Sequence, residues 1–511
     1  MAVATADNKA PSPRQLQSVR ATLRSPRRLK TEALAGLVVA LALIPEAIAF
    51  SVIAGVDPRI GLFASFTMAV TISFVGGRPA MISAATGAVA LVIAPLMRSH
   101  GLDHLIAAVI LAGVFQILLA VAGVTRLMRF IPRSVMVGFV NALAILVFMA
   151  QLPELVGVPW LVYPLVAAGL VIVVGLPRIT TAVPSPLVAI VVLTVIAVVA
   201  GLDVPTVNDK GQLPESLPSF FLPNVPLTWE TFQVIAPFSL SMALVGLLES
   251  LMTAKLVDDI TDTRSNKTRE SWGQGVANII TGFLGGMGGC AVIGQTMINV
   301  KGSGARSRVS TFLAGVFLLV LVVVLGDVVG LIPMAALVAV MIFVSAITFE
   351  WHSIAPRTLR RMPKSETAVM LITVGVVVAT HNLAIGVGVG VLAAMAMFAR
   401  RVAHFVTVER TVLGINGENV ATYTVDGELF FASSNDLYMQ FDYALDAEPE
   451  ISRVVVDLHA SHLWDASTIA VLDAVTEKYR RHGREVELLG LNSASVQMRE
   501  RLAGKLNGGG S

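Results

Sequence analysis

The residues of this chain that could do chemistry are two acids set inside long apolar runs. Glu46 lies within the run Ala42 to Phe50, and Glu249 interrupts the run Leu247 to Leu251. A carboxyl group in a membrane interior is costly unless it is protonated or paired, so it commonly marks a path for protons or cations. Glu46 and Glu249 are therefore our candidate proton-coupling residues. Glu249 could instead bind sodium or accept backbone N–H groups as a structural anchor.

Two short stretches rich in small residues, 82–89 and 290–297, are the second feature with chemical potential. Such stretches are typical of a membrane segment that is interrupted and then continues as a helix. The free N–H groups and the positive dipole end of such a helix favour an anion without any lysine or arginine. Close packing of helices through Gly and Ala is the alternative interpretation. The candidate anion-binding residues are Ala85, Thr86, Gly87, Ala88, Ile293, Gly294, Gln295 and Thr296.

The composition indicates that most of the chain lies in a lipid bilayer. Of 511 residues, 55% are hydrophobic and 14% are charged, and the mean hydropathy is +0.77. A net charge of +3 without basic blocks among aromatic residues argues against nucleic-acid binding. The single cysteine, Cys290, excludes a disulfide framework and a cysteine-based metal site. The sequence has no nucleotide loop, metal-ligand cluster or nucleophile arrangement, so we expect neither an enzyme nor a cofactor.

Apolar runs between residues 31 and 401 predict about fourteen membrane spans, each near the roughly 20 residues that cross hydrocarbon. The predicted spans are 31–56, 60–76, 82–99, 104–124, 131–151, 160–176, 182–201, 234–256, 271–287, 290–301, 308–326, 330–350, 366–381 and 384–401. An even count places most loop Arg and Lys residues on one side, as the positive-inside rule expects. We therefore predict a multi-pass protein of the cytoplasmic (inner) membrane with both termini in the cytoplasm.

The long polar segment 202–233 divides the predicted spans into two sets of seven and is expected outside. An odd number of spans in each set gives the second set the opposite orientation, which predicts inverted repeats. Each of the two small-residue stretches is then the third span of its repeat. The predicted domains are a basic cytoplasmic segment 1–30, a transmembrane transport domain 31–401 (repeats 31–201 and 234–401), a cytoplasmic α/β domain 405–506, and a tail 507–511 typical of an artificial addition.

The first span, the two small-residue stretches and the soluble C-terminal region together resemble the SulP (sulfate permease) family of anion transporters. The closest match is in the run Ala42 to Phe50 and in the following Ala54 to Phe63. The resemblance implies a polytopic α-helical fold of seven plus seven spans, divided into core and gate domains. It also implies that a small anion is moved by an elevator-type motion, commonly in a homodimer. The soluble region resembles a STAS domain, which we assign to trafficking, assembly or regulation.

Two departures from the family pattern favour proton coupling. Many members have Gln where this chain has Glu46, and many carry Ser-Arg where this chain has Gln295 and Thr296. A fixed positive charge is thus missing and an acid is added, and an ionised Glu46 would repel an anion. We therefore predict a symporter in which Glu46 takes up a proton when the anion binds. The resemblance also places Phe50, one helical turn beyond Glu46, against the substrate.

Several alternatives stay open at this point. Glu46 could be a neutral acid hydrogen-bonded to backbone beside Pro45. The substrate could be sulfate, bicarbonate or a dicarboxylate, because a helix-dipole site accepts any of them. An uncoupled anion channel or exchanger could use the same scaffold without a proton. A nucleobase permease shares the architecture and would use Glu46 and Glu249 to bind a neutral heterocycle, although the first-span motif and the STAS region favour an anion.

Weaker signals concern single residues outside these motifs. Asn141 is expected to bond across helices, and His381 to end a helix at the outer membrane face. In the soluble region, Asp426-Gly427 predicts a hairpin turn between strands 420–425 and 428–432. Ser467 is expected to cap the helix that ends at Arg481. Phosphorylatable STAS relatives carry Asp-Ser where this chain has Asp465-Ala466, so we expect no phosphorylation switch there.

Overall fold

The computed structural model describes residues 17–123, 131–180, 184–403, 406–415, 418–448 and 450–502. The first half of the predicted leader 1–30 and the predicted tail 507–511 lie outside these residues. The chain divides into two compact units, Met1–Val391 and Leu392–Ser511. Each unit is described by itself below.

The first unit is built from helices, with one pair of very short strands. Its first-half helices are α1 (Val19–Leu23), α2 (Pro26–Ala54), α3 (Pro58–Val75), α4 (Gly87–Val121), α5 (Arg133–Met149), α6 (Val162–Gly175) and α7 (Ser185–Val199). Its second-half helices are α8 (Trp229–Thr261), α9 (Lys267–Phe283), α10 (Ile293–Met297), α11 (Arg308–Val324), α12 (Gly326–Gly330), α13 (Met334–Thr348), α14 (Trp351–Ile354), α15 (Pro356–Arg361), α16 (Lys364–Thr380) and α17 (Leu383–Ala403), the last of which continues into the second unit. The strands are β1 (Ser83–Ala84) and β2 (Cys290–Ala291).

Every predicted span contains helical residues, but 82–99 and 104–124 fall in one kinked element. In α4 the backbone leaves helical geometry at Gly101, which has a φ of 79°. In the described part of the chain, the helices long and apolar enough to cross a membrane are the six Pro26–Ala54, Pro58–Val75, Gly87–Val121, Arg133–Leu155, Trp229–Thr261 and Leu383–Arg401. Four further apolar helices have only 10–17 residues. The predicted count of fourteen crossings is therefore not confirmed.

Local sequence explains where the helices nearest the small-residue stretches begin and end. Gly55 ends α2 with a φ of 76°, a left-handed conformation in which a side chain would be strained. Pro58 opens α3 in the first helical turn, where its missing N–H group would have had no helical acceptor. Thr228 caps α8 by accepting the N–H of Thr231 at 3.3 Å. These ends fix where the long helices that carry Glu46 and Glu249 lie.

Two groups of helices pack together in the first unit, and each draws on both halves of the chain. The first group contains α2, α3, α4, α8, α9 and α11, and the second contains α5, α6, α7, α13 and α16. Two large clusters of buried apolar side chains join the groups, one through α2, α7 and α13 and the other through α2, α4, α5 and α8. Such interleaving is what inverted repeats would produce, and the repeat relation itself stays a prediction.

The second unit contains a four-stranded sheet in the order β3 (Thr407–Ile415), β4 (Glu418–Leu429), β5 (Ile451–Leu463), β6 (Glu485–Leu489). The β3–β4 pair is antiparallel and the other two pairs are parallel. Its helices are α18 (Phe431–Met439), α19 (Ala466–Arg481) and α20 (Ser493–Leu502). An apolar core that includes Tyr423 and Tyr479 packs the helices on the sheet.

Two local predictions for the second unit are wrong. No hairpin forms at Asp426-Gly427, because β4 continues through both residues and they pair with Ala460 and Ser461 of β5. The glycine, with a φ of 125°, instead follows an irregularity in the β4–β5 register. The cap of α19 is Asp465, whose carboxylate accepts the N–H of Thr468 at 3.1 Å, and not Ser467.

A buried carboxylate organises the core of the second unit. Asp446 is fully buried; it accepts a hydrogen bond from Tyr423 at 2.6 Å and one from Tyr479 at 2.7 Å. Arg410 pairs with the same carboxylate at 2.7 Å. Burial raises the pKa of both tyrosines, so they stay neutral and act as donors at physiological pH.

Candidate functional site

The two small-residue stretches meet as a pair of strands inside the helical unit. β1 and β2 are antiparallel, with Ser83 opposite Ala291 and Ala84 opposite Cys290. The ladder satisfies backbone groups that would otherwise be unpaired, which non-helical backbone at membrane depth requires. The predicted interruption of both segments is therefore confirmed.

Side chains from neighbouring helices hold these strands in place. The Ser65 hydroxyl of α3 accepts the N–H of Ala85 at 3.2 Å. The Ser250 hydroxyl of α8 accepts the N–H of Ala291 at 3.1 Å. Each segment is thus fixed by a serine on a long helix of the first group, so the helices that follow the strands have defined starting points.

The first segment continues directly into α4. Thr86 is the N-cap: its hydroxyl accepts the N–H of Val89 at 3.3 Å, and its carbonyl accepts the N–H of Ala90 at 2.9 Å. The two N–H groups before these, on Gly87 and Ala88, have no acceptor within the helix. They and the helix dipole place partial positive charge at the start of α4.

Phe50 closes the space around the first residue of α4. A Cβ atom on Gly87 would lie 2.9 Å from the Phe50 ring and 3.1 Å from a methyl group of Val147. Both distances are shorter than ordinary van der Waals contact. The glycine is therefore needed for Phe50 to approach the helix start.

The second segment begins differently. Val292 gives α10 no side-chain cap, and the helix has five residues before one π-helical turn, Ile298–Gly302. Dipoles add along a helix, so α10 contributes less positive potential than α4. Nothing among the described residues lies within 4 Å of the Cβ position of Gly294. Here the segment borders open space.

Gln295, the next residue, carries an unpaired polar atom. Its side chain is 2% exposed, and its carbonyl oxygen has no hydrogen-bond partner among the described residues. The Glu46 carboxyl lines the same cavity and interacts with the Gln295 side chain. A buried acceptor without a partner is uncommon in folded proteins and indicates a missing ligand or proton donor.

A cavity of about 630 Å³ lies where these elements meet. Eight of the predicted site residues line it: Glu46, Phe50, Thr86, Gly87, Glu249, Ile293, Gly294 and Gln295. Helices α5, α7 and α13 complete the wall with mostly apolar side chains and a few hydroxyl groups. Among the lining residues that the structure describes, none is Lys or Arg.

The structure does not place three predicted substrate-binding residues on the cavity wall. Ala85 and Ala88 are buried on other sides of the segment. The hydroxyl of Thr296 accepts the N–H of Ile82 at 3.0 Å, so it holds the backbone before β1. A direct contact between these residues and a ligand in the cavity is therefore not supported.

Glu249 reaches the cavity from α8 and is tied to both segments. It is 7% exposed, and its Oε2 accepts the thiol hydrogen of Cys290 at 2.9 Å. The Cys290 sulfur in turn lies 3.2 Å from the hydroxyl of Thr86. Within the described residues no group of three or more His, Cys, Asp or Glu could hold a metal ion.

A smaller pocket of about 280 Å³ adjoins the cavity and carries the charges that the cavity lacks. It shares Val140, Met252 and Ile293 with the cavity wall, and its charged residues are Arg133, Lys255, Asp259 and Glu350. These lie at helix ends that the charge pattern predicts to be cytoplasmic. The cavity therefore has a charged neighbour on that side.

Sequence reasoning did not single out the wall supplied by the second helical group. Ser185, Ser345 and Thr348 bring hydroxyl groups to the cavity from α7 and α13. The run Pro184-Ser185-Pro186, a polar residue between prolines at the start of an apolar span, is a signal that could have identified one of them. The apolar lining residues resemble those of any membrane helix.

The weaker single-residue predictions have mixed outcomes. Asn141 does bond across elements: its amide donates to Ser353 at 2.9 Å and its carbonyl accepts the N–H of Glu350 at 2.8 Å. His381 ends α16 in a left-handed conformation with a φ of 52°. Arg78, which we did not consider, is buried and forms an ion pair with Asp258 at 3.0 Å.

Comparison with known proteins gives matches over nearly the whole chain. The sequence profile of the sulfate permease family matches residues 29–167 and 161–373, and the STAS domain profile matches residues 415–503. The putative sulfate transporter YbaR of Bacillus subtilis is 52% identical over 475 residues, which cover 93% of this chain and 97% of YbaR. The bicarbonate transporter BicA of Picosynechococcus sp. is 24% identical over 528 residues, covering 93% of this chain and 90% of BicA.

Two solved structures share the fold. Murine Slc26a9, described as an anion transporter in the inward-facing state, superposes with a TM-score of 0.77 at 16% identity, covering 93% of this chain and 87% of that one. The transmembrane domain of a cyanobacterial bicarbonate transporter, BicA, gives a TM-score of 0.61 at 23% identity, covering 72% of this chain and 98% of that one. At these identities the likeness shows the fold alone.

Proposed function

This chain belongs to the sulfate permease family, and we propose that it carries a small anion of the sulfate, bicarbonate or dicarboxylate class across the cytoplasmic membrane together with a proton. One relative is named as a putative sulfate transporter and another as a bicarbonate transporter, and these names support sulfate and bicarbonate as members of this class. The observation that carries the proposal is that Glu46 and Gln295 line the same cavity and interact, while the described residues of its wall include no Lys or Arg.

The charge of the cavity is the reason for a proton. Glu46 and Glu249 both line it, and the lining residues in the described part of the chain include no cation. Two unit charges 4 Å apart interact by about 4 kcal/mol at an effective dielectric constant of 20. An anion therefore repels ionised carboxylates, and a proton on Glu46 removes one such repulsion. Proton and anion then each favour the binding of the other, as linkage requires.

Gln295 links protonation of Glu46 to a hydrogen bond with the anion. An ionised Glu46 only accepts hydrogen bonds, so its partner is the Gln295 amide N–H. A protonated Glu46 gains an O–H donor, and the unpaired Gln295 carbonyl oxygen is an acceptor within the same pair. Rotation of the Gln295 amide would pair the two and release its N–H group toward the anion. The N–H groups at the start of α4 provide further donors.

Alternating access by an elevator-type motion fits the two-group packing. The groups supply opposite walls of the cavity: Glu46, Gln295 and Glu249 come from the first group and its segments, and Phe139 and Ser185 from the second. Movement of the first group past the second would carry the site across the membrane. We keep the core and gate division, the homodimer and a regulatory or assembly role for the STAS domain as parts of this proposal.

The test is uptake of a radiolabelled anion panel into liposomes that contain the purified protein. A proton gradient is imposed, collapsed, or replaced by a sodium gradient. We expect one anion to accumulate only with the proton gradient, and we expect Glu46→Gln to lose that dependence. Glu215→Gln is the matched control, because Glu215 is an exposed acid in the polar segment 202–233.

Other results would select the alternatives. Gradient-independent flux of several anions would indicate a channel or exchanger. Accumulation driven by the sodium gradient would indicate coupling to sodium at Glu249 instead of coupling to protons at Glu46. Uptake of a labelled nucleobase without anion uptake would overturn the anion substrate and favour the permease function.

A further inference from the structure

One thiol connects the two interrupted segments with the second acid of the cavity. Cys290 is fully buried and is the single cysteine of the chain. Its sulfur lies 2.9 Å from Glu249 Oε2 and 3.2 Å from Thr86 Oγ1. Thr86 belongs to the first segment, Cys290 to the second, and Glu249 to α8. Thr86 and Glu249 line the cavity, and Cys290 lies behind them.

Val89, Thr86, Cys290 and Glu249 form one hydrogen-bonded row, and its direction follows from the carboxylate end. An ionised Glu249 Oε2 can only accept, so the single thiol hydrogen of Cys290 is donated to it. The Cys290 sulfur then accepts the hydroxyl hydrogen of Thr86, whose oxygen also accepts the backbone N–H of Val89. The row therefore runs from the start of α4 to the carboxyl of Glu249 in one direction.

The two oxygens of Glu249 are consequently not equivalent. Oε2 already accepts the thiol hydrogen. Oε1 makes no hydrogen bond to a described residue, yet it is not fully enclosed by protein. It therefore faces the cavity that Glu249 lines. The other titratable group facing that cavity is Glu46, and further along α8 Lys255 and Asp259 face the adjoining pocket.

We propose that Cys290 is a positioning residue that holds Glu249 Oε2 as an acceptor, directs proton binding to Oε1, and links the charge of Glu249 to the N-cap of α4. Loss of the negative charge weakens the S–H···O bond and, through the sulfur, the contact with Thr86. The helix start nearest the substrate then responds to the carboxyl although the two do not touch. The role in transport, but not the hydrogen-bonded row, rests on the proposed function.

The row can be tested without any transport, because one cysteine gives one S–H stretching band in the infrared spectrum. We expect the wild-type protein in lipid to show a strongly hydrogen-bonded, low-frequency S–H band. Glu249→Gln should move the band to higher frequency, since a neutral amide oxygen is a weaker acceptor than a carboxylate. Glu215→Gln, which changes an exposed acid in the polar segment 202–233, should leave the band unchanged. A band at the frequency of a free thiol, or one insensitive to Glu249→Gln, would overturn the row.

Transport then tests the positioning role by a double-mutant cycle. We expect Cys290→Ala to lower anion uptake about tenfold, the range for a hydrogen bond to a charged group, and Cys290→Ser to restore most of it. In the Glu249→Gln background, Cys290→Ala should change uptake less than about twofold, since the carboxylate that the thiol positions is absent. Ser250→Ala should have the same effect in both backgrounds. An equal effect of Cys290→Ala in both backgrounds would show that the thiol only packs, and would overturn the positioning role.

Failure of this inference can be told from failure of the proposed function. If wild-type protein moves no anion but the S–H band responds to Glu249→Gln, the anion proposal fails and the row stands. If wild-type transport is proton-driven but the band is insensitive, the proposed function stands and the role of Cys290 is rejected.

Discussion

The two interrupted segments occupy matching positions in the sequence, but their surroundings differ. The first is closed: Thr86 caps α4, and Phe50 leaves no room for a side chain at Gly87. The second is open: α10 has no side-chain cap, Gly294 borders free space, and Gln295 presents an unpaired carbonyl oxygen beside Glu46. Similar placement in the two halves of the chain thus does not imply similar chemistry. The first segment supplies shape and a helix dipole, whereas the second supplies polar groups that can change partners.

Among substitutions in the two segments and their surroundings, removal of the acid beside the open segment should have the largest effect on transport. We expect Glu46→Gln to reduce proton-driven uptake on the order of 100-fold, as for loss of a positioned proton carrier. The wild type should take up anion faster as the external pH falls, because protonation removes a like charge from the site. The variant should show a flat pH profile. Unchanged acid stimulation in the variant, measured in the same liposomes, would return Glu46 to a structural role.

Gly87 in the closed segment and Gly294 in the open segment offer a matched pair of substitutions. Gly87→Ala should destabilise the protein by about 1–3 kcal/mol, because the added methyl group overlaps Phe50 and Val147. Gly294→Ala should change stability by less than about 0.5 kcal/mol, since no described atom opposes it. Thermal unfolding in detergent compares the two. Equal losses would contradict the distinction between a closed and an open segment.

The polar residues of the two segments should also respond differently. Gln295→Leu should lower apparent anion affinity by about 3- to 10-fold, the value of one ordinary hydrogen bond, with little change in stability. Thr86→Val should instead cost about 1 kcal/mol of stability through the lost cap. Concentration dependence of uptake and thermal unfolding of both variants separate the effects. An affinity loss confined to Thr86→Val would reverse the roles assigned to the segments.

The smallest effect is expected on the wall from the second helical group. Ser185→Ala removes one hydroxyl group from the cavity wall. We expect uptake to fall by no more than about threefold. A loss as large as that of Glu46→Gln would mean that the second group, rather than the open segment, holds the substrate.

The sequence predicted the parts of the site that break a strong local pattern. An acid in an apolar run and small residues in a weak span stand out at any position, and Glu46, Glu249 and Gln295 do lie on one cavity. Thr296 shows the limit of this approach, because its hydroxyl is used by the backbone of Ile82, 214 residues away. That contact depends on how the two halves fold together. The same reason explains why the apolar wall from α5 and α13 was not recognised.

The fold was predicted in a similar way. Helix positions followed from hydrophobic runs, but the runs predicted two separate spans, 82–99 and 104–124, where α4 continues through Gly101 with a kink. At Asp426-Gly427 a strong turn signal was wrong, because pairing of β4 with β5 outweighed the local preference. Tertiary pairing decided the cases that local sequence left ambiguous.

The most direct test of the account is the proton movement that accompanies anion entry. Liposomes containing the protein and a trapped pH-sensitive dye receive the transported anion without an imposed gradient, and the internal pH is followed for the wild type and for Glu46→Gln. The account predicts that anion entry acidifies the lumen in the wild type and leaves it unchanged in the variant. Anion entry without acidification in the wild type would contradict it.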